Sequence, residues 1–303
     1  MNHQDTLTLE MVESFARNIF PEHIPLHLTR LHSENNQVYR VEGRDLDVVL
    51  KIEGRGNYRH GGILREINTI KLLRGRINVP NILTHGDYPR PYLVLPFYHR
   101  ESTDRILLDC AIADHLNKLA AIRPLSSRVK SKKKWSWKRW LQIVLDRAAT
   151  DKRFSTCQSS IEALGDELSE LLSVDSVIYG QPQPGEIIPI KGDYVVIDWS
   201  EGLAPCLVGW QIADLTFYNA ISNFEAAVKR VSFFQKAIHS FPIHMDIVYS
   251  YWLIYCIHVG WWLADQKKDD KIVTKYMEYL QKLTTSNKTL NFSSHRPTYT
   301  FYP

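Results

Sequence analysis

Apolar positions in the first third of the chain switch between two periods. Val12, Phe15, Ala16, Ile19 and Phe20 share one face at helical spacing, behind Thr8 as a possible N-cap and ahead of Pro21, which predicts an opening helix. His27 to Leu31, Gln37 to Glu42 and Asp47 to Ile52 have the residue choice of strands. They are separated by the polar tip Ser33-Glu34-Asn35-Asn36 and by the turn Gly43-Arg44-Asp45. After a glycine-rich stretch from Gly54 to Gly62, Ile63, Ile67, Ile70 and Leu73 predict a second helix, followed by short strands around Ile82 to Leu83 and Tyr92 to Leu95.

From Asp104 onward the period is mostly helical. Ile112, Leu116 and Leu119 mark one segment, Trp137, Trp140, Leu141, Val144, Leu145 and Ala148 a second, and Ile161, Leu164, Leu168 and Leu171 a third. Strand signals return at Val177 to Ile178, Ile187 to Ile190 and Tyr194 to Ile197, with Lys191-Gly192-Asp193 as the turn between the last two. Ile212 to about Leu283 is again helical, and the polar end with Pro297 and Pro303 reads as a tail. A β-rich first third ahead of a helical part holding one hairpin predicts an α+β protein with a small antiparallel sheet and a mostly helical remainder.

Composition narrows the class. The chain has 303 residues, 44% of them hydrophobic and 23% charged, ordinary for a globular protein with one large core or two lobes. Asp5, Glu10 and Glu13 interrupt the start, unlike a secretory leader, so a cytoplasmic protein is expected. Cys110, Cys157, Cys206 and Cys256 lie far apart without zinc-ligand spacing and read as reduced, mostly buried thiols. The apolar stretch Ile247 to Leu263 includes Ser250, His258 and Gly260 and is short for a membrane span, so a core helix is expected there. The net charge of +4 is concentrated only between Arg128 and Arg139, where lysines interleave with Trp135 and Trp137. Tryptophans at helical spacing with lysines in a preceding loop explain that run, and a nucleic-acid partner is not expected.

Two places carry chemistry. Lys51 closes the apolar strand Val48-Val49-Leu50-Lys51-Ile52, on the face of Val49, and Glu66 on the next helix could pair with it. Asp198 closes a second apolar strand, Tyr194-Val195-Val196-Ile197-Asp198-Trp199, where a carboxylate requires a partner, commonly a metal. Asp198-Trp199, followed by Asp214-Leu215 ahead of an apolar helix, resembles the aminoglycoside phosphotransferase and choline kinase superfamily, whose hairpin ends Ile-Asp-Trp-Glu. The resemblance spans roughly residues 25 to 265 and implies a two-lobed protein-kinase-like fold. It implies a nucleotide lobe over 1–98, a helical lobe over 99–285 containing the catalytic-loop hairpin, and a tail over 286–303.

By the same resemblance Lys51 holds the phosphates of ATP, Glu66 orients it, and Asp198 binds Mg²⁺. Asp214 is then structural, at a helix N-terminus or bracing the catalytic loop. Ser33, Asn35 and Asn36 stand in the nucleotide loop, which lacks glycine; Asn35 or Asn36 could take a left-handed turn. The family's catalytic loop, His-Gly-Asp-x-x-x-x-Asn, corresponds to Tyr179-Gly180-Gln181-Pro182-Gln183-Pro184-Gly185-Glu186. The frame is kept and the chemistry altered: Gln181 replaces the catalytic aspartate and Glu186 the metal-binding asparagine. A glutamine cannot take the acceptor's proton as a base, a loss of roughly 10²–10⁴-fold. Glu186 adds a carboxylate suited to Mg²⁺. The resemblance therefore implies either a phosphotransferase of weakened or altered catalysis, acting on a hydroxyl of a small molecule or peptide, or an inactive pseudokinase that binds a nucleotide or a protein partner. An aminoglycoside is a poor expectation, because the helical lobe has no concentration of carboxylates for a polycation.

Overall fold

Thr8 begins the first helix as its position predicts: the hydroxyl accepts from the Met11 N–H at 3.3 Å, and α1 runs Leu9–Ile19. The structure, a computed structural model, describes residues 7–33, 36–54, 62–122, 137–157, 177–179, 186–199, 205–207, 209–241 and 243–290. By packing, the chain divides into two compact units, one of residues 1–118 with 184–204, the other of 119–183 with 205–303.

In the first unit β1 (His27–Leu31), β2 (Asn36–Gly43), β3 (Leu46–Glu53), β4 (Thr84–Gly86) and β5 (Tyr92–Pro96) form a five-stranded antiparallel sheet ordered β1-β2-β3-β5-β4. Val48, Leu50 and Ile52 of β3, with Tyr39, Val41 and Val94 beside them, pack against Val12, Ala16 and Phe20 of α1. Strand alternation turns Lys51 to the other face, between Val38 and Leu93 in the register, where α2 (Gly62–Leu73) meets it. The strand expected around Ile82 to Leu83 begins two residues later: Leu83 only donates its N–H to Val94, at 3.0 Å, and Thr84 is the first ladder residue. Half-exposed Leu83 shows why the apolar pair misled; it marks the approach to an edge strand, not its centre.

Helix α3 (Arg105–Ala121) follows, with the Asp104 carboxylate accepting from the Leu107 N–H at 2.8 Å. The hairpin β7 (Ile187–Ile190) and β8 (Asp193–Val196) turns on Gly192, whose φ of 75° suits glycine. Residues 99–118 and this hairpin hold each other: the Glu101 N–H donates to the Pro189 carbonyl at 3.1 Å, and the Tyr194 hydroxyl donates to Asp114 at 2.7 Å.

The second unit contains α4 (Trp137–Thr150), a 3₁₀ segment (Lys152–Cys157), α5 (Trp210–Ser222), α6 (Phe224–Ala237), α7 (Met245–Lys267) and α8 (Lys271–Leu290). It also holds the short ladder of β6 (Val177–Tyr179) and β9 (Pro205–Leu207), the latter not anticipated from the apolar pattern. Helix α7 is long and apolar enough by composition to cross a membrane, yet Trp252, Leu253, Ile254, Cys256 and Ile257 are buried. Its Trp252 indole donates to the Ala213 carbonyl and the Thr216 hydroxyl of α5, both at 3.1 Å. Arg153 ties the 3₁₀ segment to the helices through Asp151, Asp265 and Asp270. Helix α8 continues to Leu290, past the tail boundary expected at 285, with Thr284 and Thr285 bonding back to the Gln281 carbonyl. The helix predicted over Ile161 to Leu171 and the basic run from Arg128 to Lys134 lie outside the described residues.

Candidate functional site

Three distant segments of the first unit bring their charged side chains to one point. Lys51 Nζ donates to Glu66 Oε1 at 2.7 Å and lies 3.6 Å from Asp198 Oδ1. Glu66 is fully buried and Lys51 nearly so, whereas the Asp198 side chain is 48% exposed. Burial alone would lower the Lys51 ammonium, but the Glu66 and Asp198 carboxylates hold it above the ordinary lysine range, so the cation persists without solvent. The second Glu66 oxygen, Oε2, is buried without a hydrogen-bond partner.

Local geometry aims Asp198. β8 ends at Val196, Asp198 takes a left-handed conformation at φ 63°, which aspartate tolerates better than most residues, and the Trp199 indole folds back to donate to the Val196 carbonyl at 2.9 Å. Buried Trp199 rests against the His115 ring of α3, centroids 5.8 Å apart. His115 is wholly buried with neither ring nitrogen hydrogen-bonded, and desolvation pushes its pKa down to about 3, so it is neutral. Beside it, the Lys118 and Tyr194 hydrogen bonds outweigh partial burial and hold Asp114 below the usual carboxylate range.

Glu186 is half-buried, and its carbonyl accepts from the Ile197 N–H at 2.8 Å, which extends the β7–β8 ladder and sets Glu186 across from the residue before Asp198. Among the described residues no group of three or more histidine, cysteine, aspartate or glutamate side chains converges on a metal position. The half-exposed Asp198 carboxylate is the kind of hard oxygen donor that Mg²⁺ takes, an ion satisfied by one or two protein carboxylates with waters and phosphate oxygens in its remaining positions.

The other predicted residues are more scattered. Asn36 begins β2 with an ordinary strand backbone rather than a left-handed turn; its side-chain oxygen accepts from the Gly54 N–H at 3.4 Å, and its own N–H reaches Ser33 Oγ at 3.4 Å. Asn35 and Gln181 lie outside the described residues. In the second unit Asp214 sits in the first turns of α5, where burial raises its pKa and the Tyr255 hydroxyl donates to it. Sequence reasoning missed Asn78, whose side chain donates to Asp193 at 2.7 Å and whose carbonyl accepts from Val196 at 2.9 Å. An asparagine in a loop gives no signal of a contact with a hairpin so distant in sequence.

No protein-family model and no curated protein matches the chain at the sequence level. Solved structures do. A choline kinase from Cryptosporidium parvum Iowa II aligns over 91% of this chain and 96% of its own, with a TM-score of 0.58 and 16% identity. The GDP complex of aminoglycoside 2'-phosphotransferase-IIIa aligns over 93% and 100%, with a TM-score of 0.63 and 14% identity. A choline kinase from Streptococcus pneumoniae aligns over 90% and 99%, with a TM-score of 0.63 and 13% identity. The chain therefore has the α+β, two-lobed protein-kinase-like fold that these choline kinase and aminoglycoside phosphotransferase structures share.

Proposed function

We propose that this chain binds Mg·ATP at Lys51, Glu66 and Asp198 and transfers the γ-phosphoryl group to a hydroxyl of a small molecule or peptide, with catalysis altered at Gln181. The observation that carries the reading is the convergence of Lys51 on Glu66 and Asp198, at 2.7 and 3.6 Å, from three segments far apart in sequence. A buried ammonium held by one carboxylate while facing a second, exposed one is arranged to take a phosphate on its open side. Asp198, and Glu186 as a second carboxylate, would hold Mg²⁺; the ion supplies neutralisation of charge developing on the phosphate oxygens.

The residues of the chain account for binding better than for proton transfer. Gln181 can orient an acceptor hydroxyl through its carbonyl but cannot carry off its proton. Phosphoryl transfer depends mostly on positioning and charge neutralisation, so loss of the base slows the reaction without removing its other requirements. In this reading residues 1–98 form the nucleotide lobe, and the lobe of 99–285 contributes Asp198 and the catalytic-loop hairpin. The same substitutions at Tyr179, Gln181 and Glu186 favour a second reading, a pseudokinase that binds a nucleotide or protein partner without transfer.

Calorimetric titration with Mg·ATP, together with slow ATP turnover by the wild type and Gln181→Asp, separates the two. Binding with slow turnover that rises about 10²-fold or more in Gln181→Asp is the outcome expected of the altered enzyme. Binding without any wild-type turnover identifies the pseudokinase. Absence of Mg·ATP binding would remove Lys51 and Asp198 as a nucleotide site.

A further inference from the structure

The hairpin carrying Asp198 is fastened to the helix carrying Glu66 at one residue that neither strand contains. After α2 ends at Leu73, its last turn is closed by the Arg76 and Ile77 N–H groups, both donating to the Leu73 carbonyl, at 2.9 and 3.1 Å, and Ile77 is buried. Asn78 follows directly. Its carbonyl accepts from the Val196 N–H at 2.9 Å, and its side-chain amide donates to Asp193 Oδ1 at 2.7 Å, so it grips both ends of β8. The other strand is gripped independently, Pro189 by the Glu101 N–H at 3.1 Å and Ile187 by Arg100 at 3.4 Å.

These contacts close a ring. Asp198 is two residues beyond Val196, Val196 is bonded to Asn78, Asn78 is tied to the end of α2, α2 carries Glu66, Glu66 holds Lys51, and Lys51 faces Asp198. We propose that Asn78 is a positioning residue that fixes the distance of the Asp198 carboxylate from Lys51, and so the place where a metal-bound phosphate is received. The inference rests on the nucleotide-binding reading above and adds to it a residue that touches neither nucleotide nor metal. Its physical basis is that the two Asn78 bonds lie at opposite ends of a four-residue strand. Together they fix the strand's slide and tilt, whereas the Lys51–Asp198 pair at 3.6 Å is too long to do so alone.

The test uses the full chain and a swap of hydrogen-bonding partners. Asn78→Asp sets a carboxylate against Asp193; Asn78→Asp with Asp193→Asn restores the pair with donor and acceptor exchanged; Asn78→Ala removes the amide without adding charge. Affinity for ATP is measured by calorimetry with and without Mg²⁺, alongside the thermal midpoint. Partners that orient a metal ligand are typically worth 10–100-fold in metal affinity. Asn78→Asp is expected to weaken Mg·ATP about tenfold, with metal-free ATP changed less than about twofold; Asn78→Ala moves the same way by less, and the double variant recovers. Equal weakening with and without metal, or no weakening in a folded variant, would mean that the contact is only structural and would overturn the proposal. A folded double variant that stays impaired would do the same. If the wild type itself binds no Mg·ATP, the nucleotide-binding reading falls first and this inference falls with it.

Discussion

The Lys51–Glu66 pair combines a stability requirement with a proposed binding role, and the two are separable by mutation. Glu66 is fully exchanged from water for one hydrogen-bonded ammonium, with its second oxygen unpartnered. Removing one member of such a buried pair leaves an uncompensated charge and costs about 3–5 kcal/mol, while replacing both with apolar groups is often neutral. Lys51→Met is therefore expected to lower unfolding free energy by about 3 kcal/mol, read by urea titration. Lys51→Met with Glu66→Leu is expected to recover most of that loss. Neither variant should bind Mg·ATP, because both lack the ammonium. A double variant that regains stability and also binds nucleotide would show that the ammonium has no part in binding.

At the scale of elements, α7 and α8 approach each other through a missing side chain. A Cβ at Gly260 would lie 2.7 Å from the Tyr276 Cβ and 3.1 Å from its Cγ, atoms next to the backbone that cannot swing aside. Gly260→Ala gains about 1 kcal/mol of helix propensity, but forcing a methyl into that contact costs about 1–3 kcal/mol. A net loss of about 1 kcal/mol, measured by denaturant unfolding, is the expected outcome; a gain would mean that the two helices separate freely there. The apolar pattern identified both helices because each is long and one-sidedly or wholly apolar. It could not locate their close approach, since a lone glycine in a helix reads only as a propensity penalty. β9 was invisible for a related reason: Pro205-Cys206-Leu207 is too short for a period, and only its partner β6 makes it a strand.

At the scale of the whole molecule, a sheet-forming third followed by helices marked only an α+β class that many proteins share, and the Asp198-Trp199 spacing to Asp214-Leu215 is what narrowed it to this fold. Of the candidate site, the pairing of Lys51 with Glu66 and its approach to Asp198 were legible, since a charge in an apolar setting requires a partner. Asn78 and His115 were not, because a polar residue in a loop or on a helix announces nothing until the fold surrounds it. His115 also governs how the molecule responds to acid. Its pKa is about 3 when folded, from burial among Tyr194 and Trp199, against an ordinary value of 6.5. Between those values the unfolded chain binds a proton that the folded one refuses, so stability falls as pH drops below 6.5 and levels off near 3. At pH 5 that difference amounts to about 2 kcal/mol. His258 in the second unit, lowered by partial burial to about 4, acts in the same direction. His115→Leu also removes two unpartnered ring nitrogens, and denaturant midpoints at pH 7.5 and 5.0 are expected to draw together relative to the wild type. Equal pH dependence in wild type and variant would mean that the ring reaches a hydrogen-bond partner or water, and that Trp199 behind Asp198 rests on a less rigid support than its burial indicates.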